Sequence, residues 1–401
     1  MLRDENQRMT IPPYALSVME TLEAAGEEVY VVGGCVRDAL LGKTPNDYDM
    51  AVSCPPERTL ELLSDYRTIA TGLAHGTVTA ISDGNPIEIT TFRVDGSYTD
   101  SRRPDSVDFT RSLSEDLARR DFTVNAMAYS RRGELVDLFG GREDLARGLI
   151  RAVGEPERRF TEDALRIMRA FRFSAQLGFD IDSDTLSAAA VCRDGLSRIA
   201  RERIREEFIR LLFSPEPRQA LELMVGLGIM SYITDSYLPD NNVIGLLSQM
   251  PRNDIARLGM LLCNADRAVA DAVLRELRCS NKQRSGALAI VRECRTSVTD
   301  RASATALRSR AGEHAAYAVR ASVLLGVNQP EAEELVCNDR APISVSELAI
   351  GGRELCELGF RGVAVGETLG WLLERVMHDP SLNERETLLA LARKKRKKNE
   401  E

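Results

Sequence analysis

The chain has 401 residues, 43% of them hydrophobic and 28% charged, and a net charge of −8. That length predicts two or more domains with cores of their own, and the lack of any apolar run of about eighteen residues excludes a transmembrane helix. The acidic balance does not announce a nucleic-acid binder, but charge acts locally, within about 8 Å, so arginine clusters can still form a positive patch.

The opening MLRDENQRMT lacks the apolar stretch of a signal peptide, which predicts a cytoplasmic protein. From Glu28 to Gly34, EVYVVGG reads as a buried strand entering a tight Gly-Gly turn, and CVRDALLG reads as a short helix from Cys35. In PNDYDMAV, Pro45 and Asn46 make a turn and Tyr48 to Val52 a strand. Thr77 to Arg93 carries two more strands, TVTAIS and IEITTFRV, joined by a turn at Asp83 to Pro86. Strands mixed with helices to about residue 150 predict a small α/β head.

After residue 155 the strand signals stop. TEDALRIMRAFRFSAQLG opens on Thr161, a good N-cap. Ala164, Ile167, Met168, Phe171 and Ala175 then form the stripe of an amphipathic helix. IARERIREEFIRLLF and ALELMVGLGIM follow as further helices. The remainder reads as helical to about residue 376, with breaks at 215–217, 251–254, 328–330 and 351–352. The run Arg393 to Lys398 (RKKRKK) reads as a solvated, disordered basic end, with RNA contact as the other reading. The eight cysteines are scattered without a C-x-x-C pair, which predicts free thiols and no structural zinc site.

Two features carry chemistry. Asp47 and Asp49 are one residue apart on a predicted strand, so both side chains share a face. With a third carboxylate, Glu88 on a neighbouring strand, they could hold a pair of Mg²⁺ ions for phosphoryl transfer. Alone, the D-x-D pair is a weak signal, and two exposed carboxylates at a strand edge are the better reading of it. Gly33 and Gly34 lie between strand and helix, where glycine lets backbone N–H groups approach a phosphate, and Arg37 lies one turn further on as a bidentate donor. A plain strand–helix turn with a surface arginine is the alternative there.

Taken in order, GGCVRDALLG, NDYDMAV, IEITTFR, SRRPDSV, ARRDFTVNAMAY, DLFGGREDL and EDALRIMRAFRF resemble the motifs of the bacterial class II CCA-adding enzymes and their relatives, the bacterial poly(A) polymerases. The likeness is dense from about residue 28 to 180, then thins, although ELAIGGRELCELG and VGETLGWLLERV are similar to the tail of the shorter CCA-adding enzymes. The resemblance implies an α+β chain: a polymerase-β-like nucleotidyltransferase head (1–150), then all-α neck (151–215), body (216–335) and tail (336–401). It implies addition of CCA to tRNA from CTP and ATP with Mg²⁺, by a monomer or a homodimer that touches the acceptor arm and no membrane. Asp47, Asp49 and Glu88 fall on the metal carboxylates, and Gly34, Arg37 and Arg120 on nucleotide contacts. Asp121 falls on the position that senses the ribose hydroxyls, and Asn125 on a turn support. Asp163, Arg166, Arg169 and Arg172 fall on the nucleotide-recognition helix.

That helix has a chemical logic. Asp163 and Arg166, three apart, are neighbours on one helix and point away from its apolar stripe. Cytosine and adenine both present an exocyclic amine beside an unprotonated ring nitrogen, which a carboxylate and a guanidinium match. Uracil and guanine present the opposite pattern. A surface ion pair is the bland alternative. The resemblance also implies a lever for the C-to-A switch in DGSYTDSRRPDSVDF, whose presence favours full CCA addition over CC-only addition. His75, His314 and His378 are isolated, which excludes an appended HD phosphohydrolase domain. Retention of Asp47 and Asp49 argues against a non-catalytic RNA-binding module, and GGCVRD against a Rossmann dinucleotide enzyme. Arg198, Arg201, Arg203 and Arg205 are candidates for tRNA contact, but Glu202, Glu206 and Glu207 equally allow pairs within the helix.

Overall fold

A first helix, α1 (Pro13–Ala24), leads into β1 (Val29–Val32), α2 (Gly34–Leu40), β2 (Met50–Val52) and α3 (Pro56–Leu62). Three strands follow: β3 (Arg67–Gly72), β4 (Thr77–Ser82) and β5 (Asn85–Thr91). A separate ribbon pairs β6 (Arg93–Asp95) with β7 (Val107–Phe109). Then come α4 (Leu113–Ala118), β8 (Met127–Tyr129), β9 (Leu135–Asp137) and α5 (Gly141–Arg147). This computed structural model describes residues 9–95, 107–234 and 237–400, in two compact units, Met1–Ile233 and Thr234–Glu401. Most of the segment expected to act as a lever lies outside the described residues.

The head sheet has seven strands in the order β3-β4-β5-β2-β1-β8-β9. Its β2–β5 pair is parallel and the rest are antiparallel. The predicted Thr77–Arg93 hairpin forms, with Val78 and Ala80 fully buried. Its loop is tighter than expected: Asp83 (φ 49°) and Gly84 (φ 78°) both take positive φ, and Asn85 already pairs with Ser82. Two positive-φ residues define the twist-matched type I′ turn, which an Asp-Gly pair favours. The strand β3 was not expected from the sequence. Among the described residues no helix is long and apolar enough to cross a membrane, and all eight cysteines are free thiols.

The rest of the first unit is helical except for a two-residue parallel pairing of β10 (Leu149–Ile150) with β11 (Asp180–Ile181). Its helices are α6 (Pro156–Glu162), α7 (Leu165–Leu177), α8 (Ser183–Cys192), α9 (Arg201–Leu212), α10 (Arg218–Gly226) and the single turn α11 (Ser231–Thr234). The helix expected from Thr161 is therefore two helices. Thr161 lies inside α6, and Asp163 sits in the break with extended backbone (φ −143°, ψ 104°).

The second unit holds α12 (Asn241–Leu246), α13 (Asp254–Leu261), α14 (Arg267–Glu276), α15 (Asn281–Glu293), α16 (Arg301–Ala311) and α17 (Ala315–Leu324). It ends with α18 (Glu331–Asn338), α19 (Gly352–Glu357), α20 (Val363–His378) and α21 (Arg385–Glu400). The basic run is thus not a disordered end. It belongs to α21, whose Leu388 and Ala392 are fully buried in one cluster with Leu372 and Val376 of α20. Helices α13 and α15 meet through glycine. A Cβ on Gly259 would lie 2.7 Å from Ile290 Cβ, and one on Gly286 would lie 2.6 Å from Ile255 Cγ2. Gly259→Ala gains about 1 kcal/mol of helix propensity, but overpacking costs about 1–3 kcal/mol. Urea denaturation should therefore show a net loss of about 1 kcal/mol, and wild-type stability would mean that the two helices have room to part.

Candidate active site

Asp49 sits where the chain enters β2. Its carbonyl accepts the Val32 N–H at 2.9 Å. Tyr48 and Met50 on either side are buried, so Asp47 and Asp49 face the other way. The expected strand from Tyr48 begins only at Met50, so the acidic pair lies in its extended lead-in, where the alternation still holds. Met50 pairs with Ile89 in the parallel register, and one step back brings Asp49 beside Glu88. Ile87 and Ile89 are buried and Glu88 is exposed, so Glu88 shares the face of the acidic pair. Burial, then the charges of Asp47 and Glu88, push the Asp49 carboxyl up to about 6, while Arg120 pulls the other way.

Among the described residues no three acidic, His or Cys side chains form a ready-made metal cage. Magnesium seldom needs one. It keeps several waters and takes one or two carboxylates together with substrate phosphates. Hard oxygen donors whose charges oppose one another are a fitting donor set for it.

The Gly-Gly turn is lined by two guanidiniums. Gly33 has φ 77°, and a Cβ there would lie 3.2 Å from Arg120 Nη1. A Cβ on Gly34 would lie 3.6 Å from Arg37 Nη2. Arg37 is fixed: its Nη1 donates to Asn125 Oδ1 at 2.7 Å and its Nε to Asp38 Oδ1 at 2.9 Å. Asn125, expected as a turn support, instead accepts from Arg37, and its Nδ2 donates to Asp121 Oδ1 at 3.3 Å. Arg120 Nη2 donates to Asp116 Oδ2 at 3.1 Å, while its buried Nε has no hydrogen-bond partner. The sequence did not single out Asp116, which is 1% exposed. Burial would raise its carboxyl, but Arg119 and Arg120 hold it below the usual range.

The recognition residues are arranged differently from expectation. Asp163 is not on the helix of Arg166. It sits ahead of α7, where its Oδ1 accepts the Leu165 N–H at 3.0 Å and its Oδ2 pairs with Arg203 Nη2 at 3.1 Å. Arg166 does not point to solvent but is 8% exposed. Its Nη1 donates to Glu162 Oε2 at 2.8 Å and its Nη2 to the Arg119 carbonyl at 3.3 Å. Asp121 is buried against Arg169, with Nε at 2.6 Å from Oδ2. Burial would raise the Asp121 carboxyl, but Arg169 more than offsets this and holds it below the usual range. Arg172 donates from Nε to Glu207 Oε2 at 2.5 Å. Of the basic and acidic residues on α9, Arg203 and Glu207 therefore make pairs within the unit. The only sequence signal for Glu207 was its place in an alternating charge pattern.

Fold and site together define a nucleotidyltransferase: an acidic pair at the mouth of a strand, an arginine-lined Gly-Gly turn beside it, and a helical continuation. The family described as Poly A polymerase head domain matches residues 29–151. The family described as Probable RNA and SrmB-binding site of polymerase A matches residues 178–238. A CCA-adding enzyme of Leuconostoc mesenteroides is 52% identical over 226 residues, but the match spans only 56% of each chain. A CCA-adding enzyme of Lactiplantibacillus plantarum is 37% identical over 390 residues, which cover 94% of this chain and 95% of that one. The crystal structure of the Bacillus stearothermophilus CCA-adding enzyme in complex with CTP is 32% identical, with a TM-score of 0.84 over 97% of this chain and 99% of that one. The chain belongs to the family of CCA-adding enzymes.

Proposed function

We propose that this protein completes the 3′ end of tRNA, adding C, C and A in turn from CTP and ATP with Mg²⁺. The observation that carries this reading is the placement of Asp49 beside Glu88, with Arg120 at the Gly33 turn opposing the charge of Asp49. In the reaction, the tRNA 3′-hydroxyl attacks the α-phosphorus in line, the new phosphodiester forms, and pyrophosphate leaves. Divalent ions held by Asp47, Asp49 and Glu88 would supply Lewis-acid stabilisation of the attacking and leaving oxygens. Arg37 keeps its orientation through Asp38 and Asn125, which leaves its remaining N–H groups for a triphosphate oxygen. Arg120 Nε is a second donor suited to that anion.

Selection of C and A is assigned to Asp163 and Arg166. A carboxylate has about four acceptor sites. Those beyond the bonds to Leu165 and Arg203 would accept a base amine, while Arg166 would donate to the ring nitrogen. The contacts of Arg166 to Glu162 and to the Arg119 carbonyl hold its guanidinium in place. Uracil or guanine would set like against like in a buried site, which costs at least about tenfold in discrimination.

The test is incubation of a tRNA ending at its discriminator base with CTP, ATP and Mg²⁺. Extension by CCA is expected. A product stopping at CC, or a long run of A, would replace this reading with CC addition or polyadenylation, and no extension at all would favour a non-catalytic RNA-binding module. In Asp163→Ala, incorporation of UTP and GTP relative to CTP and ATP should rise by about tenfold or more. An unchanged ratio would remove Asp163 from base selection.

A further inference from the structure

One aromatic ring gathers three of the arginines at this site. The ring centroid of Phe173, on α7, lies 5.4 Å from Arg37 Cζ, 5.3 Å from Arg169 Cζ and 4.0 Å from Arg172 Cζ. All three fall within the range of about 6 Å in which a guanidinium is attracted to the negative face of a ring. Phe173 is 6% exposed, so water weakens this attraction little. Its own seat is fixed, because Phe122 meets it edge-on at 5.8 Å with an interplanar angle of 79°.

The carboxylates close the arrangement. Arg37 pairs with Asp38, Arg169 with Asp121, and Arg172 with Glu207. Each guanidinium is thus neutralised by an acid and has the ring as a shared neighbour. Arg37 comes from the helix after the Gly-Gly turn, whereas Arg169 and Arg172 come from α7. Hydrogen bonds and ion pairs already link them in part, through Asn125 between Arg37 and Asp121 and through Glu207, which Arg169 and Arg172 share. Of these neighbours, the ring is the one that all three share directly, and it adds its attraction without using up an N–H donor.

We propose that Phe173 is a positioning residue that, through its ring face, couples the phosphate-contacting Arg37 to the recognition helix. This rests on Arg37 facing the triphosphate. A leucine would fill much of the same volume without a quadrupole, so the role is separable from packing.

The test replaces Phe173 in the full-length protein with mono-, tri- and pentafluorophenylalanine, which keep the ring and progressively cancel its negative face. The readouts are the Kd for inorganic tripolyphosphate, the KM and kcat for CTP, and the melting temperature. Tripolyphosphate Kd and CTP KM should rise stepwise and together, reaching about three- to tenfold in the pentafluoro protein, while the melting temperature holds. Phe173→Tyr should keep wild-type affinity, and Phe173→Leu should match the pentafluoro protein. A flat tripolyphosphate Kd across the fluorinated series would overturn the proposal, and so would a rise confined to proteins that also melt earlier. Tripolyphosphate binding needs no RNA, so failure of CCA addition would appear in product length and leave this result standing.

Discussion

Asp49→Ala should lower nucleotide incorporation by at least about a thousandfold, and the double variant Asp47→Ala/Asp49→Ala should abolish it, with the circular dichroism spectrum unchanged. Two observations set this expectation. First, Asp49 has the acidic neighbours Asp47 and Glu88 and one opposing cation, Arg120. Such a cluster opposes its own folding, which is the mark of a group retained for chemistry rather than for stability. Second, β2 is held in the sheet by buried Met50, Ala51 and Val52 and by backbone pairing on both sides, none of which needs the Asp49 side chain. Activity and stability should therefore part company. The melting temperature of Asp49→Ala should equal or exceed that of the wild type. Substantial residual incorporation would refute the catalytic role. A fall of several degrees in melting temperature would show that the carboxylate supports the fold.

Much of the head was legible because its strands obey period two. TVTAIS alternates cleanly, and Asp-Gly marks its hairpin. The acidic pair could be placed on one side of the chain for the same reason. The break at Asp163 was not legible. EDALRIMRAFRF contains no Gly or Pro to mark a break, and its apolar stripe begins only after Asp163, at Ala164. What holds the chain there is part local and part tertiary: the Asp163 carboxylate accepts the Leu165 N–H two residues on and pairs with Arg203, forty residues away. The orientation of Arg166 was hidden in the same way, because Glu162 and the Arg119 carbonyl satisfy a buried guanidinium that helical spacing alone places in solvent. The C-terminal helix is a different kind of miss. ETLLALARKK carries an apolar stripe ending at Leu388 and Ala392, but the charge run beside it dominated the composition. Lys395 illustrates why both patterns coexist, with its ammonium 5.0 Å from the Trp371 ring.

Glu207→Ala should be the most destabilising single change in the first unit among those considered, at about 3–5 kcal/mol by urea denaturation. Glu207 is 6% exposed and Arg172 is 7% exposed. Their charged groups meet at 2.5 Å, and Arg169 stands 4.0 Å from the same carboxylate. Removing Glu207 leaves Arg172 as a buried charge whose carboxylate partner is lost, with Arg169 close by as a like charge. The cost comes from that stranded cation more than from the lost attraction. This makes a sharp distinction testable. Glu207→Met combined with Arg172→Leu removes both charges and keeps the volume between α7 and α9, so it should cost far less than Glu207→Ala alone. If Arg172 serves nucleotide recognition, as the resemblance implies, the double variant should still lose nucleotide affinity. If it proved as unstable as Glu207→Ala, packing at this contact rather than charge burial would be what the pair supplies. A Glu207→Ala protein within about 1 kcal/mol of the wild type would mean that water reaches Arg172 freely, contrary to its burial against α9.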